Sequence, residues 1–375
     1  MIESVNQTLH DSAVDHAVDM QHFGNGIVRR IIATLNRTDA DLAAQLTAAV
    51  ERLPGASFTV EWLDALLISV RALNAAAYAA IGRELADEAG RVVEYEAGHQ
   101  LELFRFAVPP QVAASVGIAQ VNVAQVYAAA LSRPFQGRLL AEWATSIESD
   151  RMARIRDAVR MGYVEQQTMA QIVRRVVGTK AKGYADGIIE IDRRNAEAVV
   201  RTAISHTAGF TRDRFYEANS DLVKAVVWTA TLDSRTSEIC RLRDSRRYEN
   251  TDAHKPIDHK LPWLGGPGAA HWQCRSTSVP VTKSWAELGG ADIPDFSGST
   301  RESMDGQVPV DTTYASWIKR QSAGRQDEIL GPTRGKLLRS GGLTLDRFAN
   351  EKGKWLTLDE LRKKDAAAFK AAGLP

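Results

Sequence analysis

Up to about residue 216 the chain is rich in alanine and poor in proline, and its apolar residues recur at spacings of three and four. That period matches the 3.6-residue turn of an α-helix and misaligns with a strand, whose faces alternate every second residue. More than half of the 375 residues are thereby committed to helices. The stretch TDAD, residues 38–41, ahead of an apolar run reads as a helix start with acids in its first turn, and Pro54 with Gly55 as that helix's end. Pro109 and Pro110 mark a second break. Residues 63–82 are the most apolar long stretch, but Asp64, Arg71 and Asn74 interrupt it, which suits a core helix better than a membrane span. From Asp192 a further helix sets Ala196, Val199, Val200, Ala203, Ile204, Thr207 and Phe210 on one stripe. No sustained heptad or long-period repeat is visible.

At residues 221–233 the period changes and β-branched residues accumulate, which predicts a strand ending in a turn at Asp233 and Ser234. A short helix over RTSEICRLRD, an extended SRRYEN, a polar loop over 251–270, a second strand over CRSTSVPV and a helix opened by a Ser284–Glu287 capping box follow. The expected fold class is α+β, mainly α-helical. It comprises a helical region at 1–216, a small α+β module at 217–288, a linker or long loop at 289–312 and a helical region at 313–375. In the last region Thr357 and Glu360 form a capping box, with Leu356 and Leu361 as its hydrophobic staple, opening one helix that runs to the end.

Lys plus Arg number 47 and Asp plus Glu 46, so any nucleic-acid contact must be local. From Lys319 to Lys370, thirteen basic residues face seven acidic ones, and Arg362, Lys363 and Lys364 are the candidate DNA or partner surface. Two cysteines in this length argue for a reducing compartment, and the N-terminus lacks the basic-then-apolar pattern of a signal peptide. Those two, Cys240 and Cys274, with His271 three positions before the second, are the chemically informative residues. Asp233 is placed to cap the short helix after it, and Arg235 and Arg275 to hold carboxylates or carbonyls across the two strands. His10, His16 and His22 are six apart and do not stack on one helix face, which disfavours a metal site there. Trp62, Trp143 and Trp317 read as packing anchors. The hydrolase, metalloprotease and phosphate-loop signatures are missing, and no catalytic residue is assigned.

The order of a strand-ending Trp228, then Thr231, Asp233, Arg235, Thr236 and Cys240, a loop with Pro262, then His271, Cys274, Arg275 and Pro280 resembles the core of the phage Mu F-like minor head proteins, the phage head morphogenesis family. Residues 314–348 are similar to the segment that follows this core in many members, and the likeness spans roughly residues 190–365. The resemblance implies a non-enzymatic structural component of a tailed-phage head, present in few copies. It would be assembled in the host cytoplasm and sit in the head interior or at the portal vertex. Its implied partners are the portal protein, packaged double-stranded DNA bound without sequence preference, and other head proteins, with no membrane; its role lies in head assembly or genome delivery. The alternative is an enzyme or toxin carrier that uses the module for delivery.

Many relatives carry C-x-x-C where this chain has Ser237 to Cys240, and C-R-C where it has Cys274 to Ser276. Two of four thiols are replaced by serine, so a closed zinc tetrad is incomplete. The favoured expectation is no cofactor, with Cys240 and Cys274 as buried packing residues. Zinc on Cys240, His271 and Cys274 stays open as an alternative, its fourth ligand drawn from His254, His259 or Asp233. A disulfide is the third reading.

Overall fold

A computed structural model describes residues 5–51, 60–165, 167–182, 186–285, 287–288, 300–309 and 311–375. The chain is α+β and mainly α-helical, with thirteen α-helices among the described residues. Seven precede the first strand: α1 Val5–Glu51, α2 Val60–Ala107, α3 Pro110–Val116, α4 Val123–Leu131, α5 Leu140–Val164, α6 Met169–Val177 and α7 Glu190–Ala218. Then come β1 Val223–Thr229, α8 Glu238–Arg243, β2 Arg247–Glu249, β3 Pro256–Ile257, β4 Thr277–Thr282, β5 Thr300–Ser303 and β6 Gly306–Pro309. The chain closes with α9 Tyr314–Arg320, α10 Ala323–Leu330, α11 Pro332–Arg339, α12 Leu358–Lys364 and α13 Ala366–Ala371. Among the described residues no helix is long and apolar enough to cross a membrane.

The chain divides into two compact units, and the division does not follow the sequence boundaries at 216, 288 and 312. One unit, His22–Val92 with Tyr127–Ile204, has helices and no strand among the described residues, with its core at Leu42, Val70, Ile155, Val159, Ile172, Val176 and Ile189. Here the expected helix start at 38–41 is corrected, because α1 runs straight through it. Thr38 returns its hydroxyl to the Thr34 carbonyl, and buried Asp39 is held by Arg151 at 2.5 Å and Arg193 at 2.6 Å. These side chains serve tertiary contacts, so their preference for helix ends is overridden. Pro54 and Gly55 lie outside the described residues, as does the side chain of Trp62; Trp143 is half-buried and donates to the Phe135 carbonyl.

The other unit, Met1–Gln21 with Val93–Val126 and Ser205–Pro375, holds an antiparallel sheet of order β3-β2-β1-β4. The central strand β1 pairs Val226 with Tyr248 of β2 and with Pro280 of β4. A proline fits there because β4 is an edge strand and its outer face needs no donor. Trp228 is fully buried with Phe104, Phe215, Tyr216 and Tyr248 in a core beneath this sheet. A second core joins Leu232 and Leu242 of the module to Tyr314, Trp317, Leu337, Phe348, Leu361 and Phe369. The region after 312 is thus packed on the module. Asp244 fastens the two, accepting the Ala230 N–H at 2.8 Å and the Tyr314 N–H at 2.7 Å.

Three local expectations are corrected in this unit. Residues 300–309 form an antiparallel β5–β6 hairpin where composition indicated linker, while 289–299 and 310 lie outside the described residues. Ser284 and Glu287 exchange the expected capping hydrogen bonds, yet the described residues around them form a turn. The last helix opens at the Thr357–Glu360 capping box as expected but breaks at Asp365, whose carboxylate accepts the Ala368 N–H and caps α13 instead. Aspartate competes for backbone donors in this way, which is why it favours caps over helix interiors.

Candidate metal centre

The turn after β1 is built by Asp233. Its Oδ1 accepts the Arg235 N–H at 3.0 Å and lies 3.0 Å from the Thr236 hydroxyl, which also contacts the Thr231 carbonyl. Arg275 grips the same carboxylate at 2.5 and 2.8 Å, tying the lead-in to β4 to the turn after β1. Burial opposes ionisation of Asp233, but the Arg275 guanidinium outweighs it and holds the carboxyl below its ordinary range. The expected cap role passes to Ser237, whose hydroxyl accepts the Cys240 N–H at 3.3 Å and starts α8. Arg235 contributes through its backbone, and its side chain is exposed, not bridging the strands.

Cys240 therefore sits in the first turn of α8, and Cys274 just ahead of β4, with their sulfurs 3.6 Å apart as free buried thiols. His271 joins them, its Nε2 3.0 Å from Cys240 Sγ. Packing alone does not call for that imidazole. Its Nδ1 lies 2.9 Å from the Trp272 carbonyl, so a proton on Nδ1 leaves the Nε2 lone pair facing the sulfurs. The three donors lie within 4.8 Å of one another and could hold a metal ion. A tetrahedral zinc with sulfurs at about 2.3 Å holds two of them about 3.8 Å apart, close to the separation found here.

The two thiols differ in acidity. Burial pushes Cys240 well above its ordinary value. Cys274 is drawn down to about 7 by the Cys240 S–H, against its own burial, with help from the N–H groups of Gly268 and Ser276. Gly268 must be glycine for this: its φ is +90°, and a Cβ would stand 2.4 Å from the Ser205 carbonyl oxygen. Burial disfavours protonation of His271, but the neighbouring Cys240 sulfur prevails and raises its pKa.

Other sequence candidates are otherwise engaged. His254 stacks on Trp263 at 4.3 Å, and His259 bonds the Arg247 carbonyl at 2.8 Å. Arg362, Lys363 and Lys364 are exposed on the last turn of α12, with the Arg362 guanidinium 5.1 Å over Phe369.

A buried charge network goes beyond anything the sequence indicates. Glu96, fully buried in α2, accepts from Arg212 at 2.8 Å, from Gln100 at 2.9 Å and lies 2.7 Å from His16. Arg212 continues to the Thr277 hydroxyl at 2.5 Å, and His16 stacks on His99 at 3.6 Å. Burial alone would raise the pKa of Glu96, yet Arg212 and His16 bring it down to about 2. His99 falls to about 4, through burial first and then His16. The one local signal is the Glu96–Gln100 spacing, since His16 and Arg212 lie 80 and 116 residues from Glu96.

No family model matches the chain, and neither a curated protein nor a solved structure matches it.

Proposed function

We propose that the protein is a structural minor head component of a tailed phage, docking on the portal and meeting packaged DNA during head assembly or genome delivery. What supports the reading is the convergence of the residues that carry the resemblance. Spread over residues 228–280, they meet as a buried Trp228, an Asp233–Arg275 pair with Thr236, and a Cys240–His271–Cys274 cluster. The role is architectural, since the more acidic thiol, Cys274, is only 1% exposed and poorly placed to attack a substrate. The protein is expected to co-purify with portal rings in a small fixed number of copies. Mass measurement of the complex checks this, and a shell-lattice stoichiometry overturns it.

DNA binding is assigned to the exposed end of α12. Neutralising Arg362, Lys363 and Lys364 together is expected to flatten the log–log salt dependence of binding by about 0.9 for each phosphate no longer neutralised, equally for any sequence. Titrations at several salt concentrations measure the slope; an unchanged slope moves the DNA face elsewhere.

The cluster's most fitting ligand is zinc, held by Cys240, His271 and Cys274. Such an ion supplies a cross-link between α8 and the start of β4, supplementing the limited core of a small module.

A further inference from the structure

Three protein donors leave one corner of a tetrahedral ion to be filled. The residues expected to fill it do other work: His254 stacks on Trp263, His259 binds a backbone carbonyl, and Asp233 is gripped by Arg275. Ser276 donates its hydroxyl and N–H to Cys274, a supporting role toward the sulfur. Ser237 is different. Its Oγ lies 2.8 Å from His271 Nε2, the nitrogen that also faces Cys240 Sγ at 3.0 Å.

We propose that Ser237 supplies the fourth corner of the centre, giving a zinc-class ion held by two thiolates, one imidazole and one oxygen. The inference rests on the zinc reading above. Ser237 is fixed for the task because it is the N-cap of α8: extended backbone at φ −68°, ψ 157°, with Oγ turned back over the first turn toward Cys240. The charge balance also suits a buried place. A divalent ion with two thiolates, a neutral imidazole and a neutral hydroxyl sums to zero, the two thiol protons leaving to solvent. An oxygen is the hardest donor in this set and the weakest partner for an ion that favours nitrogen and sulfur. The centre is therefore one atom short of an all-soft tetrad, and it gives up its metal more readily than a third thiolate would allow.

The test uses the reduced full chain, with zinc counted by elemental analysis, its affinity set by competition against a chromophoric chelator, and cobalt(II) as a spectroscopic probe. The native chain is expected to bind one ion and to give a four-coordinate cobalt spectrum with thiolate charge transfer. Ser237→Cys should raise that charge-transfer intensity by about half, in the ratio of three thiolates to two, and tighten binding. Ser237→Ala should weaken zinc by about 10- to 100-fold, the range found when a residue supporting a metal site is removed. Circular dichroism of each variant reports folding, and if either fails to fold, the native cobalt spectrum decides alone: a five- or six-coordinate spectrum overturns the assignment. If the native chain binds zinc and neither variant changes affinity or thiolate intensity, Ser237 is not the corner although the zinc reading stands. A native chain that binds none removes both.

Discussion

Replacing Arg212 by Met is expected to destabilise the sheet-containing unit by about 3–5 kcal/mol, the cost of stripping one partner from a buried ion pair. Glu96 is fully buried and out of reach of solvent, with the Arg212 guanidinium beside it at 2.8 Å. The change also releases the Thr277 hydroxyl at the head of β4. The expense lies in leaving the buried carboxylate with only His16 and Gln100 as partners, more than in the broken pair itself, so a paired replacement, Glu96→Gln with Arg212→Met, should recover much of it. Denaturant melts of the two single variants and the double variant check this. A destabilisation under about 1 kcal/mol in Arg212→Met means the network is hydrated and adds little, as exposed pairs do.

Acid should undo the same network in two stages. His99 has a folded pKa of about 4, below its ordinary 6.5. A depressed base is uncharged in the native state and charged once unfolded, so its contribution is complete above 6.5 and is lost as pH falls toward 4. Glu96, at about 2 against an ordinary 4.5, contributes fully above 4.5 and is lost as pH falls toward 2. For the fully buried Glu96 the drop from 4.5 to about 2 amounts to about 3 kcal/mol. Cys274, lowered from 9 to about 7, works at the other end, adding stability as pH rises through 7 toward 9. Melting midpoints of the metal-free chain measured from pH 7 to 2 should therefore decline in two windows. His99→Gln should flatten the upper window and Glu96→Gln the lower; if both survive these substitutions, other carboxylates govern acid unfolding, Asp233 first among them.

Much of the module is legible in the sequence because its signals are local. The change of period at 221 marks β1, the stretch RTSEICRLRD marks α8 although its cap proves to be Ser237 and not Asp233, and Thr357 with Glu360 mark the start of α12, each within a few residues of chain. The misreadings share a cause. Thr38 and Asp39 look like a helix start until Arg151, 112 residues away, takes the carboxylate. Sequence spacing compares His16 only with histidines on its own helix, whereas its partners, Glu96 and His99, lie on α2. Asp365 looks like one more helical residue, although its side chain serves the backbone better as a cap. At the cluster, the H-x-x-C spacing marks His271 as a candidate, but only the fold shows Nε2 turned toward Cys240 and Ser237.

Asn6, near the start of α1, accepts hydrogen bonds from the backbone and hydroxyl of Thr282 at the end of β4, 276 residues on. On a ribosome this makes the two units complete at different times. His22–Val92 and Tyr127–Ile204 have all left the exit tunnel well before Thr282 is translated. Residues 1–21, by contrast, meet their partners on α2, such as Glu96 for His16, after about 80 further residues, but at about 5–20 residues per second Asn6 waits roughly 15–60 s for Thr282. During that interval the apolar stripe carrying Leu9 and Ala13, both buried in the finished protein, is open to other chains. Nascent-chain aggregation should thus be most acute for ribosomes stalled before Thr282, and a chaperone that shields the stripe of Leu9 and Ala13 should act mainly in that interval.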